Sequence, residues 1–163
     1  MRSSFHKIIA ATALCLASVF PAQTVSALTA KQVVQKEIIT INANGQETIT
    51  RVEPTTMTPG DRVVYRLLFT NDLAEPTDDF ELTMPIPGEL TLIAGSEVFS
   101  GVTTTYSTDQ GSSFATQENV RVRKTDGSYR PAGVKDITHI RWQIVDPVAP
   151  GVSGELSFAA IIN

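Results

Sequence analysis

The sequence has 163 residues, with 17 acidic and 13 basic side chains, a formal charge of −4 and one cysteine. An acidic chain without a basic patch argues against nucleic acid and against anionic membrane surfaces as partners. The single cysteine, Cys15, falls in a predicted leader, so no disulfide is expected within the body and stability must come from its core.

Residues 1–27 read as a secretory signal peptide. Arg2 and Lys7 form its positive start and Ile8 to Phe20 its apolar stretch. Pro21 breaks that stretch, and Val25-Ser26-Ala27 supplies the small −3 and −1 residues of a cleavage site. The apolar run is about 13 residues, short of the roughly 20 that cross a bilayer. Leu14 precedes Cys15 where lipid attachment wants a small residue, so no lipoprotein is expected. Residues 28–163 are then one exported domain, periplasmic or extracellular, with no further membrane span and an oligomeric state left open. Without Arg2 and Lys7 its balance is 11 basic against 17 acidic side chains. About 136 residues suffice to bury a core of their own. Arg121, Arg123 and Lys124 are the clustered cations, and at strand spacing the two arginines share what reads as a solvated face.

Strands are predicted in turn along this domain. Val33–Ile41 is enriched in β-branched residues, Asn44-Gly45 predicts a type I′ hairpin turn, and Glu47–Glu53 alternates polar and β-branched residues. Pro54 and Pro59 interrupt pairing before the next strand, in which Val63, Tyr65 and Leu67 share one face and Val64, Arg66 and Leu68 the other. Asn71–Asp78 is a polar loop, followed by short strands at Phe80–Met84 and Leu90–Ile93. The Thr-, Ser- and Gly-rich stretch from Ser100 to Ser128 carries strands at Thr103–Ser107 and Asn119–Arg123. His139–Val145 and Gly154–Ile162 complete the set. Turn signals recur at the spacing of an all-β sandwich, and no amphipathic helix follows the leader.

A resemblance rests on the order of several blocks. These are Thr58-Pro59-Gly60-Asp61, Tyr65, Phe69-Thr70-Asn71, Met84-Pro85-Ile86-Pro87-Gly88 and Ala94-Gly95-Ser96. Tyr106-Ser107-Thr108-Asp109-Gln110-Gly111, Ile140-Arg141-Trp142 and Ala149 to Gly154 continue the series. The chain resembles the conserved immunoglobulin-like repeat of unknown function found in bacterial surface and cell-envelope proteins, from about Pro54 to Ile162. The resemblance implies an immunoglobulin-like β-sandwich with a structural or adhesive role, and it brings no catalytic residues. This chain holds one such unit rather than a tandem array, which sets it apart from the usual pattern.

Candidate chemistry is sparse, and no residue is assigned a catalytic, cofactor-binding or metal-binding role. His139 is the only histidine of the body and reads as a sheet residue, since no Gly-x-Ser-x-Gly nucleophile accompanies it. One histidine with scattered carboxylates is not a usual zinc set. The loop Asn71–Asp79 concentrates Asp72, Glu75, Asp78 and Asp79, a weak calcium candidate whose spacing matches no calcium loop. Lys36 in the first strand and Asn163 after the last are the two ends of a possible isopeptide staple, more simply a solvated lysine and a frayed terminus. Trp142, with Ile140 and Ile144, is expected in the core, whereas Tyr106, Phe114 and Tyr129 are candidates for an exposed aromatic surface, with two of the three fitting the second sheet's core equally well. The expected function is therefore that of an exported non-enzymatic module contacting an envelope or surface protein. The alternative is a carbohydrate- or calcium-binding accessory domain. An open sheet edge would supply the contact, and Val33–Ile41 is the expected edge strand, guarded by Lys36 and Glu37.

Overall fold

The computed structural model describes residues 28–163; the predicted leader and its cleavage site lie outside the described residues. Ten strands follow in chain order: β1 (Leu28–Ile41), β2 (Glu47–Val52), β3 (Arg62–Asn71), β4 (Phe80–Pro85) and β5 (Leu90–Leu92), then β6 (Val102–Ser107), β7 (Arg121–Arg123), β8 (Tyr129–Pro131), β9 (His139–Ile144) and β10 (Ser153–Ile162). The one helical segment among the described residues is a 3₁₀ turn at Val134–Asp136. The protein is all-β. Its sheets are antiparallel, in the orders β2-β1-β3-β10-β5, β4-β9-β6 and β7-β8.

Alternation explains how the two larger sheets share one core. Along β9, Ile140, Trp142 and Ile144 are buried while His139, Arg141 and Gln143 are half-buried. Along β3, Val63, Leu67 and Phe69 turn to the same core, joined by Leu156, Phe158 and Ala160 of β10. Phe69 meets Phe80 edge-on at 5.7 Å, and Tyr65 stacks on Phe158 at 5.1 Å. Two antiparallel layers closing on one apolar interior are consistent with a β-sandwich.

β1 corrects the expected edge. It begins at Leu28, and its first ten residues pair with β3, from Leu28↔Asn71 to Glu37↔Arg62. From Lys36↔Val52 to Ile41↔Glu47 it pairs on its other side with β2, so that Lys36 and Glu37 have both neighbours. A 14-residue strand reaches about 47 Å, farther than the ten-residue β3 beside it, so β1 leaves one neighbour for the other. β2 is therefore the outermost strand of this sheet, although Val33–Gln35 pair only with β3 and Ile38–Ile41 only with β2, so that each keeps one open side.

The hairpin turn also differs from expectation. Type I′ requires positive φ at two central residues, yet only Gly45 has it, at 76°. Asn42 decides the geometry. Its Oδ1 accepts the N–H groups of Asn44 and Gln46, each at 3.0 Å, and Gly45 N–H closes on Asn42 C=O at 2.9 Å. The loop is a three-residue connection with glycine in the left-handed position.

Gly154 is fixed by packing. A Cβ there would sit 2.2 Å from Cζ of Phe69, its register partner on β3. Gly154→Ala is expected to lower stability by about 1–3 kcal/mol in denaturant unfolding, as overpacking does. Adding Phe69→Leu should recover part of that loss; a Gly154→Ala protein as stable as the parent would contradict this packing.

Candidate functional site

Three features stand out: a hairpin arm, a cavity and a groove. The arm is the free end of β1 with β2. Beyond Glu37 the strand has β2 as its only ladder partner, and both of its faces are exposed. Ile38, Ile39, Ile41 and Ile49 are 43–67 % exposed, an unusual density of bare isoleucine. Ile39 faces Ile49 across the hairpin and so shares its side of the sheet. At the base, the buried Glu37 carboxylate receives Arg51 Nε at 3.1 Å and contacts Arg62 Nε at 2.5 Å, tying β1, β2 and β3 in one row.

The cavity, of about 210 Å³, is bounded by Leu92, Tyr106, Val120 and Ile137 and floored by Glu97. Glu97 is 1 % exposed. Its Oε1 accepts the Tyr106 hydroxyl at 2.7 Å, and its Oε2 accepts Ser96 Oγ at 3.4 Å. Its backbone carbonyl accepts Trp142 Nε1–H at 2.8 Å and Thr104 Oγ1 at 3.3 Å. Burial, reinforced by the Glu97 carboxylate, pushes the Tyr106 phenol well above its ordinary range, so it remains a donor. Sequence reading missed Glu97; the one available signal was its place directly after Ala94-Gly95-Ser96.

The groove, of about 410 Å³, lies between the β7-β8 ribbon and the loop after β6. Arg121, Arg123 and Tyr129 line one side and Thr108, Asp109 and Ser113 the other. Arg123 and Tyr129 are register partners, and Tyr129 is 65 % exposed. Arg121 is folded back, donating to the carbonyls of Glu118 at 2.7 Å and Val120 at 3.0 Å. An exposed ring beside hydroxyls and a guanidinium can stack on and hydrogen-bond to a sugar. Thus the cationic pair and one of the predicted aromatics come together. Tyr106 instead lies in the core, 4 % exposed, and Phe114 lies half-buried with the Arg141 guanidinium 3.7 Å above its ring.

The remaining candidates serve the fold. Trp142 is fully buried, with Phe99 edge-on at 6.5 Å. His139 Nδ1 lies 3.2 Å from Thr138 Oγ1, and its ring packs against Gly111. Ser107 Oγ donates to Asp109 at 2.7 Å and accepts Gly111 N–H at 2.9 Å, making it a loop staple. In the acidic loop, Asp72 accepts from Thr29 Oγ1 and Asp79 from Gln143 Nε2 at 2.7 Å. Among the described residues no three acidic, histidine or cysteine side chains converge as a metal site. Lys36 Nζ lies 2.7 Å from Asp61 Oδ2, an acid the sequence did not reveal, while Asn163 Oδ1 turns to Thr91 Oγ1 at 2.6 Å on β5. The two ends of the proposed staple are not brought together.

Comparisons with protein-family models, with curated proteins and with solved structures find no match to this chain.

Two outcomes test this geometry. Tyr106→Phe leaves the buried Glu97 carboxylate without its closest donor, so unfolding free energy should fall by about 1–3 kcal/mol; an unchanged value would contradict that bond. Acid sensitivity follows from Asp109, held at about 2 chiefly by Ser113 and Ser107, and from Asp136, held at about 2 by Arg130. Both bind protons less tightly when folded, so their contribution is present above the ordinary value of 3.8 and disappears as pH falls toward 2. Urea titrations between pH 5 and about 2 should show this decline, and Asp109→Asn should flatten it.

Proposed function

We propose that this chain is an exported, non-enzymatic module of immunoglobulin type that works by contact with an envelope or surface protein. The observation that carries the reading is the arm: four exposed isoleucines on a two-stranded extension of a five-stranded sheet, with β2 at its open edge. An open edge offers backbone hydrogen bonds to an extended segment, and alternate side chains give it selectivity. The motifs of the family resemblance support the class, because they act here as structural devices: Asn71 binds loops, Gly154 admits Phe69, and Ser107 with Asp109 closes a turn. A second reading, as a carbohydrate-binding accessory domain, is favoured by the groove that places Tyr129 beside Arg123.

The test places a photo-crosslinking residue at Ile49 and, as control, at the exposed Thr83 of β4, in cells that export the protein. Protein adducts are expected at Ile49 and not at Thr83, and Ile39→Arg, across the hairpin from the probe, should remove them while changing stability by less than about 0.5 kcal/mol. Equal adducts at both sites, or substrate turnover by the pure protein, would refute the reading. Glycan retention lost in Tyr129→Ala but kept in Ile49→Arg would establish the second reading instead.

A further inference from the structure

Resting on the reading of the arm as a contact surface, we infer that its occupant is a second copy of this chain, joined antiparallel through β2. The backbone sets the parity. Asn42 N–H donates to Gln46 C=O at 3.0 Å, so the hairpin ladder alternates from there. Thr40↔Thr48 and Ile38↔Thr50 are bonded pairs, while Ile41↔Glu47, Ile39↔Ile49 and Glu37↔Arg51 are not. The N–H and C=O groups of Glu47, Ile49 and Arg51 therefore point away from β1, toward the open side.

Side chains then select the register. With a two-fold axis at Ile49, Glu47 of each copy faces Arg51 of the other, Ile49 faces Ile49, and Thr48 faces Thr50. The sequence Glu47-Thr48-Ile49-Thr50-Arg51 is complementary to itself when run antiparallel. Sliding by two residues one way sets Glu47 against Glu53 and Ile49 against Arg51; the other way sets Glu47 against Ile49. Only the dyad at Ile49 pairs every outward-facing backbone group with both charges matched.

The same register joins the bare isoleucines. Ile39 and Ile49 share a face, so the axis makes one apolar strip from Ile39 and Ile49 of one copy through Ile49 and Ile39 of the other. Edge charges commonly guard against such pairing, but a guard of one sign repels every copy. Here opposite signs stand symmetrically about Ile49, which favours pairing. The dimer adds about six backbone hydrogen bonds over a patch below the roughly 1,200 Å² of stable complexes. Its dissociation constant is expected on the order of tens of micromolar.

Sedimentation equilibrium of the purified protein from about 1 µM to 1 mM tests this, spanning that constant. A monomer–dimer equilibrium is expected. Glu47→Arg, at a residue with no ion pair among the described residues, should give monomer across the range. Ile49→Arg, which sets like charges face to face on the dyad, should do the same. In a Cys15→Ser background, Ile49→Cys should oxidise to a crosslinked dimer, because its Cα would face its own copy at about 5.5 Å. A wild-type monomer at 1 mM, a dimer indifferent to Glu47→Arg, or no crosslink at Ile49→Cys would overturn the inference. Monomer together with photo-adducts to another protein at Ile49 overturns the second copy alone; monomer without adducts overturns the arm reading as well.

Discussion

The buried carboxylate of Glu97 is the constraint on which the two sheets depend. It follows β5, at the far edge of the larger sheet, yet its bonds reach the smaller one. Trp142 of β9 donates to its carbonyl and Tyr106 of β6 to its carboxylate. One residue earlier, Ser96 Oγ accepts Ala159 N–H of β10 at 2.9 Å. Each of these groups would be costly in an apolar interior without a partner, and the partners lie on different layers. Correct stacking of the layers is thus the condition for satisfying them. Apolar burial supplies most of the driving force, while this polar knot penalises a sheet placed in the wrong register.

A second knot closes the opposite end. Asn71, fully buried, donates to the carbonyls of Val148 at 2.7 Å and Glu75 at 3.1 Å, and its Oδ1 accepts Leu73 N–H at 3.0 Å. Its backbone bonds to Val152 and Gly151 as well. One side chain thereby fixes the loop after β3 and the loop between β9 and β10. The carboxylates of the acidic loop ride on a frame set by an amide. Their dispersal over the surface is the arrangement that minimises repulsion among like charges.

Strand positions were legible in the sequence because alternation and β-branched enrichment are local signals. Trp142, Ile140 and Ile144 fell where period two put them, and of the expected face of β3, Val63 and Leu67 are buried in the core with Tyr65 half-buried against it. What escaped was pairing. Nothing local to Val33–Ile41 says that β3 will take its first part and β2 its last, since that depends on relative strand length. Asn44-Gly45 predicted the hairpin but not its turn, because Asn42, two residues earlier, offered an acceptor that outcompeted type I′. β8 is three residues long and ends in Pro131, too short to show a period. Glu97 was invisible for another reason: a carboxylate is usually exposed, and only the tertiary partners Tyr106 and Ser96 make its burial tolerable.

The arm raises the question of why an exposed hairpin should hold a fixed direction at all, since an isolated two-stranded ribbon is marginal in water. Glu37 answers it. Its carboxylate is shared by Arg51 of β2 and Arg62 of β3, residues that stand beside it in register. Desolvating one carboxylate and two guanidinium groups consumes much of the attraction, so the row adds little net stability. Its effect is angular. A ribbon free to bend at Glu37 would separate the acid from one arginine and strand a buried charge, whereas an extension in line with the sheet keeps both pairs. Lys36, one residue before, adds a bond to Asp61 on the opposite face, so β1 is held from both sides at the point where it leaves β3. The isoleucines beyond are therefore presented on a stiff continuation of the main sheet, and stiffness is what lets a short edge bind without a large entropy loss.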